Sequence, residues 1–364
     1  MNYEIDILDI GTGACGDSIA IRFGDLNSAD PQDHTTILID GGFKPDHVKI
    51  NDHFTNYYGH NRIDLVVSTH PDQDHINGLS GVLDNMNVSH LWMHLPWSHS
   101  DVISDIKQNS YVSERLNEKL ANSLKSSDEL SKIAINNGVP ITEPFSAETS
   151  LTTPHGKITV IGPSRDYYKS LLGQFIDWRP KSKTSNTGLG ALEKVLRTLS
   201  NFADETFNLE TLSDSGSTSP QNNSSAVILI GHDNKKFLFT GDAGIEAIEL
   251  ACAELEYLGH PAGSYTFVQV PHHGSRQNVG PTILNRLLGD KLDQDGNHRG
   301  QAYVSSAKDC DDHPKKSVMN AFRRRGFPVT STQGSSKVYH NRGTQRPGWS
   351  TTTPHPIFAN VEEE

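Results

Sequence analysis

The 364-residue sequence contains only three cysteines, Cys15, Cys252 and Cys310, and they lie far apart along the chain. Their spacing fits neither a disulfide framework nor a cysteine-based zinc site, which favours a reducing compartment. No apolar run approaches the roughly 20 residues of a membrane span, and acidic residues stand where a signal peptide would be basic. We therefore expect a cytoplasmic protein that does not enter a membrane.

The sequence also has no excess of positive charge. It carries 44 acidic residues against 32 lysines and arginines, and its net charge is −12. This balance excludes a histone-like attachment to nucleic acid through overall charge. It does not exclude a phosphodiester substrate, because bound divalent cations reverse the sign of the charge at an aspartate-rich site.

Period-two alternation of apolar and polar residues predicts many short strands, and apolar residues at helical spacing predict several helices. Strands are predicted at 3–11, 16–25, 35–42, 63–70, 89–95 and 156–164, twice within 225–244, and at 265–275, 302–309 and 328–340. Helices are predicted at 76–86, 110–137, 187–202, 246–258 and 315–326. His232-Asp233-Asn234 is a hairpin-turn signal between the two runs of 225–244.

We interpret residues 1–340 as one domain interrupted by a helical and loop insertion at about 97–220. This insertion is interpreted as a lid, a contact in a homo-oligomer or a surface for a protein partner, and the sequence does not separate these roles. Residues 211–225 are low in complexity and predict a mobile loop. The Pro- and Thr-rich stretch 341–364 predicts an unfolded tail.

Three predicted strands end in polar residues beside a glycine: STHPDQDH (68–75), FLFTGDAG (237–244) and QVPHHGS (269–275). Strand ends on one edge of a layered α/β protein converge, so these side chains are expected to meet. Together they supply His70, Asp72, Asp74, His75, Asp242, His272 and His273. This donor set is large enough for two metal ions that share a bridging carboxylate.

The segment THPDQDH resembles the HxHxDH signature of the metallo-β-lactamase fold, with Asp72 in place of the second histidine. This variant, the TGD at 240–242 and the PHHGS at 271–275 are similar to the soluble nuclease-like domain of ComEC-type competence proteins. DIGTGACGDSIAIRF and ILIDGG near the start, and DDHPKKSVMNAFRRRGFPVTSTQGSSKVY near the end, resemble the same family. The resemblance implies an α/β (α+β) fold, the four-layer αββα metallo-β-lactamase sandwich.

Carried over by position, the resemblance implies roles for the individual donors. His70 and Asp72 would hold the first metal, Asp74 and His75 the second, and Asp242 would bridge the two. One histidine of the pair His272 and His273 would close the second site and the other would contact substrate oxygen; the sequence leaves open which.

This chain departs from the family at the first metal. Most members have a further histidine ligand in a Gly-His loop, and none stands here in that form; His94, His99, His155 and His232 are outside candidates. Instead, Asn222 to Ser225 fit an Asn-x-x-Ser pattern. The first site is therefore expected to be weak, empty or completed by water.

We expect two divalent metal ions per chain. Asp72 in place of a histidine makes the site harder and more anionic, which shifts the preference from zinc alone toward manganese, magnesium or mixed occupancy. Zinc or manganese is expected, with magnesium as an alternative.

The function expected from the resemblance is phosphodiester cleavage, most readily of nucleic acid, by a metal-bound hydroxide. The expected catalytic residues are Asp74, His273 and His313. The expected substrate contacts are Asn222, Ser275, Ser306 and His313, because hydroxyl, amide and imidazole groups can bind phosphate oxygens.

Two alternatives remain at this stage. The first is hydrolysis of a small ester, lactone or nucleotide in the same site. The second is a pseudo-enzyme that acts as an interaction module, although buried carboxylates without a metal would be costly. The run Arg323 to Arg325 is interpreted either as a nucleic-acid contact or as a solvated helix face.

Overall fold

In the computed structural model, the described residues are 1–109, 117–175, 202–310, 312–342 and 346–362. The strands are β1 (Asn2–Ile7), β2 (Ile19–Gly24), β3 (His34–Ile39), β4 (Arg62–Ile63), β5 (Leu65–Val67), β6 (Asn87–Val88), β7 (Leu91–Trp92), β8 (Ile141–Thr142), β9 (Ser150–Thr153), β10 (Gly156–Gly162), β11 (Phe202–Asp204), β12 (Val227–His232), β13 (Lys235–Phe239), β14 (Phe267–Gln269), β15 (Gln301–Val304), β16 (Val329–Ser331), β17 (Lys337–His340) and β18 (Asn360–Glu362). The α-helices are α1 (His47–His53), α2 (Gln73–Asn85), α3 (Asp101–Gln108), α4 (Glu118–Asn136), α5 (Arg165–Phe175), α6 (Pro220–Asn223), α7 (Ile245–Tyr257), α8 (Pro281–Leu288) and α9 (Lys316–Arg324).

Two seven-stranded sheets form the body of the protein. The first has the order β17-β1-β2-β3-β5-β7-β8, and the second has the order β16-β15-β14-β13-β12-β10-β9. Buried apolar residues of both sheets, such as Ile5 and Ile37 from the first and Ile228 and Phe237 from the second, form the core between them. Alternation along each strand leaves a second apolar face on each sheet, which must be covered.

Helices cover both outer faces. Helices α1 and α2 and the C-terminal half of α4 pack on the first sheet, and α7, α8 and α9 pack on the second. The layers therefore run helix, sheet, sheet, helix, which confirms the predicted four-layer αββα sandwich. Among the described residues, none of the helices combines the length and the apolarity that crossing a membrane requires.

The direction of the strands brings the polar strand ends to one edge. Strands β3, β5 and β7 are parallel in the first sheet, and β13, β14, β15 and β16 are parallel in the second. The hairpin of β12 and β13 pairs His232 with Lys235, with Asp233 in the left-handed region, as its turn signal predicts. The predicted strands that carry the candidate donors are thus real elements of the two sheets.

The block 97–220 differs from the insertion that the sequence suggests. Strand β8 extends the first sheet, and β9 and β10 complete the second, so 141–162 belongs to the sandwich. Helices α3, α4 and α5 form a separate layer around Leu124, Phe145 and Tyr168. The composition of the block changes because these helices are amphipathic and partly exposed, whereas its strands are short. Residues 187–201 of the predicted helix 187–202 lie outside the described residues.

The segment 211–225, predicted as a mobile loop, makes specific hydrogen bonds at its C-terminal end. Ser219 caps α6 by accepting a hydrogen bond from the Asn222 backbone amide, and Ser225 accepts one from the Asp242 amide. Polar loop composition does not reveal these contacts, because the partners are distant in sequence.

The C-terminal stretch packs against the protein where an unfolded tail was expected. Arg346 is buried and forms ion pairs with Glu4 and Asp6 of β1. Strand β18 pairs with β11, and the His355 amide donates to the Val329 carbonyl. The prediction is therefore wrong for residues 346–362, because tertiary ion pairs and strand pairing outweigh their low apolar content.

Both interpretations of the arginine run are wrong for two of its members. Arg324 and Arg325 are fully buried and pair with Glu205 and Glu210, at 2.7 and 2.8 Å. Arg324 also donates to the carbonyl oxygens of Thr206 and Leu209. These arginines fix the segment that follows β11, and they are not available to nucleic acid.

Candidate metal centre

The opening motif is held by the turn after β3. Asp40 has a positive φ of 58°, and its carboxylate accepts hydrogen bonds from the backbone amide and the hydroxyl of Thr69. The same carboxylate lies 2.8 Å from Nδ1 of His75. Helix α2 approaches this turn so closely that a side chain on Gly78 would collide with the Gly41 carbonyl oxygen. The start of α2 is thereby fixed at the edge of the first sheet.

Four buried side chains converge at this edge. One donor atom from each of Asp17, His75, Asp242 and His273 lies within 4.8 Å of the others. Asp17 and His75 come from the first half of the chain, and Asp242 and His273 follow strands β13 and β14 of the second sheet. Two carboxylates and two imidazoles at this spacing are a suitable ligand set for a divalent transition metal.

The two carboxylate oxygens of Asp242 face different histidines. Oδ1 lies 3.4 Å from Nε2 of His75. Oδ2 lies 3.7 Å from Nε2 of His70 and 3.5 Å from Nε2 of His272. Asp242 therefore lies between His75 on one side and His70 and His272 on the other.

The pair His272 and His273 occupies a tight left-handed turn. Both have positive φ, 47° and 53°, and Gly274 follows with 83°. Consecutive left-handed non-glycine residues are strained by about 1–3 kcal/mol each, and such strain is found chiefly at functional sites. The turn directs both rings toward carboxylates, because His273 Nε2 lies 3.7 Å from Asp74 Oδ2 while His272 faces Asp242.

Hydrogen bonds orient the histidine rings. Nδ1 of His272 lies 2.7 Å from Oδ1 of Asn278, so its Nε2 is directed at Asp242. Nδ1 of His75 faces Asp40 in the same way. A carboxylate or amide behind a ring fixes which nitrogen is free to bind a metal.

The unsatisfied atoms of the cluster fit a bound cation. Nε2 of His70 and His75, both ring nitrogens of His273, Oδ1 of Asp17 and Oδ1 of Asp242 are buried and make no hydrogen bond. Buried polar atoms normally have partners, and unpaired nitrogen and oxygen atoms that face one another can be satisfied together by one cation. The residues present therefore fit a divalent metal ion.

The electrostatics of the cluster give the same indication. Burial alone would lower the pKa of His75, but Asp242 and Asp40 outweigh it and hold that pKa well above its ordinary value. Burial also opposes protonation of His273, yet Asp17 and Asp74 raise its pKa to about 9. The neighbouring carboxylates thus favour the protonated forms of His75 and His273, and a divalent ion bound there would replace those protons.

Asp72 is placed differently from the other candidate ligands. It begins helix α2 as its N-cap, but its side chain makes no capping hydrogen bond. Instead Oδ2 lies 2.6 Å from Nζ of Lys119, and Oδ1 accepts a 3.4 Å hydrogen bond from the hydroxyl of Ser123. Both partners belong to α4, so the carboxylate of Asp72 is contacted by the helical layer.

The expected substrate contacts differ in the hydrogen bonds that they already make within the protein. Ser306 is buried and donates its hydroxyl to the His313 carbonyl at 2.7 Å, so this hydroxyl supports the backbone at His313. Ser275 is buried and accepts from the Gln277 amide. The side-chain nitrogen Nδ2 of Asn222 lies 3.2 Å from Nδ1 of His272, next to the four-donor cluster.

His313 lies against the exposed side of the centre. Its ring centroid is 5.9 Å from that of His272 and 6.5 Å from that of His273. Burial, with repulsion from His273 and His272, lowers its pKa to about 4. At neutral pH its ring is therefore uncharged and offers one N–H donor.

Several residues of the centre were not predicted from the sequence. Asp17 is a member of the four-donor cluster, and Gln269 donates to it at 2.9 Å while accepting from the amides of Thr240 and Gly241. Asn278 orients His272 and also donates to the Asp242 carbonyl at 2.7 Å. The signal that could have found Asp17 is an acid beside a glycine at the start of strand β2, because the start of an antiparallel strand lies at the edge where its neighbours end.

No protein-family model matches the sequence, and no curated protein matches it. Similar solved structures include the metallo-β-lactamase fold protein YhfI from Bacillus subtilis, with 10% identity and a TM-score of 0.42 over 94% of this chain and 100% of that one. A diphosphatase from the PhnP family is similar at 11% identity and a TM-score of 0.39, over 93% and 98% of the two chains. Zn²⁺-bound PqqB from Methylobacterium extorquens is similar at 11% identity and a TM-score of 0.39, over 93% and 99%.

Proposed function

We propose that the protein is a metal-dependent hydrolase of the metallo-β-lactamase fold that cleaves phosphodiester bonds, with nucleic acid as the expected substrate. The observation that carries the proposal is the buried cluster of Asp17, His75, Asp242 and His273, with its orphaned donor atoms facing one another. A buried cluster of this kind is costly without a cation, which argues against an inert interaction module.

Two divalent ions per chain are proposed, on either side of Asp242. Oδ1 of Asp242 faces His75, in the group that includes Asp17, Asp74 and His273. Oδ2 faces His70 and His272, which would form the second position. In this assignment both histidines of the pair are ligands, each for a different ion. The mixed imidazole and carboxylate donors suit zinc or manganese.

Bound divalent ions would act as Lewis acids, lowering the pKa of a water molecule and stabilising charge on phosphate oxygens. The residues of the chain position the other reactants. Asp74 is partly exposed and lies 3.7 Å from His273, so its carboxylate can orient the attacking water through a hydrogen bond. His313 lies beside His272 on the open side, where its N–H can donate to a substrate oxygen.

The proposal is tested by elemental analysis of the purified protein, followed by assays with labelled DNA, RNA and a chromogenic phosphodiester across a series of divalent metals. We expect Asp242→Asn to lower metal content and to reduce hydrolysis about 100-fold or more, because it removes the charge between the two positions. Asp74→Ala is expected to reduce hydrolysis comparably while leaving the fold intact.

Asp233→Asn is the matched control. Asp233 is an exposed turn residue with a positive φ, and asparagine readily adopts the same left-handed conformation. A folded Asp242→Asn protein with full metal content and full activity would contradict the proposal. Cleavage of carboxyl esters in the absence of phosphodiester cleavage would assign the site to a small-molecule ester instead.

A further inference from the structure

A lysine from the helical layer reaches the metal centre. Lys119 belongs to α4, and its Nζ lies 2.6 Å from Oδ2 of Asp72, between His70 and Asp74 in the opening motif. We infer that Lys119 forms a phosphate-binding subsite at the mouth of the centre and so selects substrates with an anionic phosphoryl group. The inference rests on the proposed function, which it extends to the recognition of the substrate.

The position of Lys119 is fixed by its helix. Asn117 caps α4 by accepting a hydrogen bond from the Leu120 amide at 2.8 Å. The side chain of Leu120 is buried in the apolar cluster of the helical layer. One turn further along, Ser123 is also buried and contacts the other oxygen of Asp72. Lys119 and Ser123 therefore present one face of α4 to Asp72.

The ammonium of Lys119 is accessible, although its carboxylate partner is not. The side chain of Lys119 is 71% exposed, whereas that of Asp72 is only 6% exposed. A lysine ammonium has three N–H donors. One of them contacts Asp72, so the others can bind an incoming anion while the buried carboxylate keeps its partner.

The charges around the site make a phosphate the appropriate anion. The ammonium of Lys119 pairs with the carboxylate of Asp72 at 2.6 Å, so Lys119 brings a positive charge to the opening motif. The carboxylates of the centre alone repel an anion, and bound divalent ions reverse this on one side. Lys119 adds a positive charge on the exposed side, where a charge-assisted hydrogen bond to a phosphate oxygen forms without displacing a ligand.

The test is isothermal titration of the metal-loaded protein with inorganic phosphate, with metal content measured for every variant. Lys119→Met is expected to weaken phosphate binding about tenfold or more with metal content unchanged, because a charge-assisted hydrogen bond is lost. Lys119→Arg keeps the charge and is expected to bind within about threefold of the parent. Lys132→Met is the matched control, since Lys132 lies on the same helix, is similarly exposed and pairs with Asp128 at 2.8 Å.

Equal phosphate affinity in the parent and Lys119→Met proteins would overturn the inference. Loss of metal together with phosphate in Lys119→Met would overturn it too, because Lys119 would then support the metal site. The binding readout is independent of catalysis. Phosphate binding through Lys119 in a protein that cleaves no phosphodiester would refute the proposed function alone, and phosphodiester cleavage with unaltered KM in Lys119→Met would refute the subsite alone.

Discussion

At the scale of single residues, the centre depends on side chains that hold ligands in place. Asn278 is fully buried and accepts from Nδ1 of His272 while donating to the backbone of Asp242. We expect Asn278→Leu to weaken metal affinity about 10- to 100-fold, because the ring of His272 loses its fixed orientation. Competition with a metal-sensitive dye measures this. Asn56→Leu, at an exposed position, is the control, and unchanged affinity in Asn278→Leu would contradict the role.

The residues that the sequence revealed share a local signature. His70, Asp74 and Asp242 each stand beside the end of an apolar strand, and that pattern is visible within about ten residues. Asn278 and Lys119 carry no such signature, because each acts through a contact that only the packing of distant elements creates. Asp72 stands in the opening motif at the position of the second histidine of HxHxDH, yet a helix from elsewhere in the chain determines what its carboxylate touches.

At the scale of elements, the C-terminal segment is attached to strand β1 by buried charges. Arg346 contacts Glu4 at 2.8 Å and Asp6 at 2.5 Å. Arg346→Ala is expected to lower the free energy of unfolding by about 3–5 kcal/mol, because it leaves two carboxylates buried with fewer partners. Urea unfolding measures the loss. Arg165→Ala removes an exposed pair with Glu148 and is expected to cost about 1 kcal/mol or less; equal losses in the two variants would contradict the prediction.

The same ion pairs set the response of the parent protein to acid. Burial alone would raise the pKa of Glu4, but Arg346 and Arg22 outweigh it; for Asp6, His53 and Arg346 outweigh burial in the same way. A carboxyl with a lowered folded-state pKa stabilises the protein above its unfolded-state pKa, and this stability is lost as the pH falls through the folded-state pKa. Removal of Arg346 raises both folded-state pKa values. The Arg346→Ala protein should therefore unfold at a higher pH during acid titration than the parent.

Two polar segments of the chain are ordered although their composition predicts disorder. The tail and the stretch 211–225 are polar and Pro- or Ser-rich, which usually means that too little apolar surface is available for folding. Their order comes from a buried arginine, from strand pairing and from a capped turn, none of which adds apolar residues. The strands of the sandwich could be predicted because apolar and polar residues alternate along them. Successive side chains point to opposite faces of a sheet, so each face leaves its own pattern in the sequence.

At the scale of the whole molecule, charge limits how the protein can bind a polyanion. The net charge is −12, and Arg324 and Arg325 are buried in ion pairs. If the substrate is DNA, we expect the logarithm of its KM to change with the logarithm of salt concentration with a slope of about 1 to 2, because each released phosphate contact contributes roughly 0.7–0.9. Assays between low and moderate salt measure the slope, and a slope of about 6 or more would contradict this expectation.

The metal centre draws its donors from residues as far apart as Asp17 and His273. During synthesis, six of the seven strands of the first sheet leave the ribosome long before β14 and the histidine turn, and only β17 follows them. A growing chain shorter than 273 residues therefore holds only Asp17, His75 and, later, Asp242 of the four. The four-donor cation site thus stays incomplete until β14 and the histidine turn of the second sheet have been made.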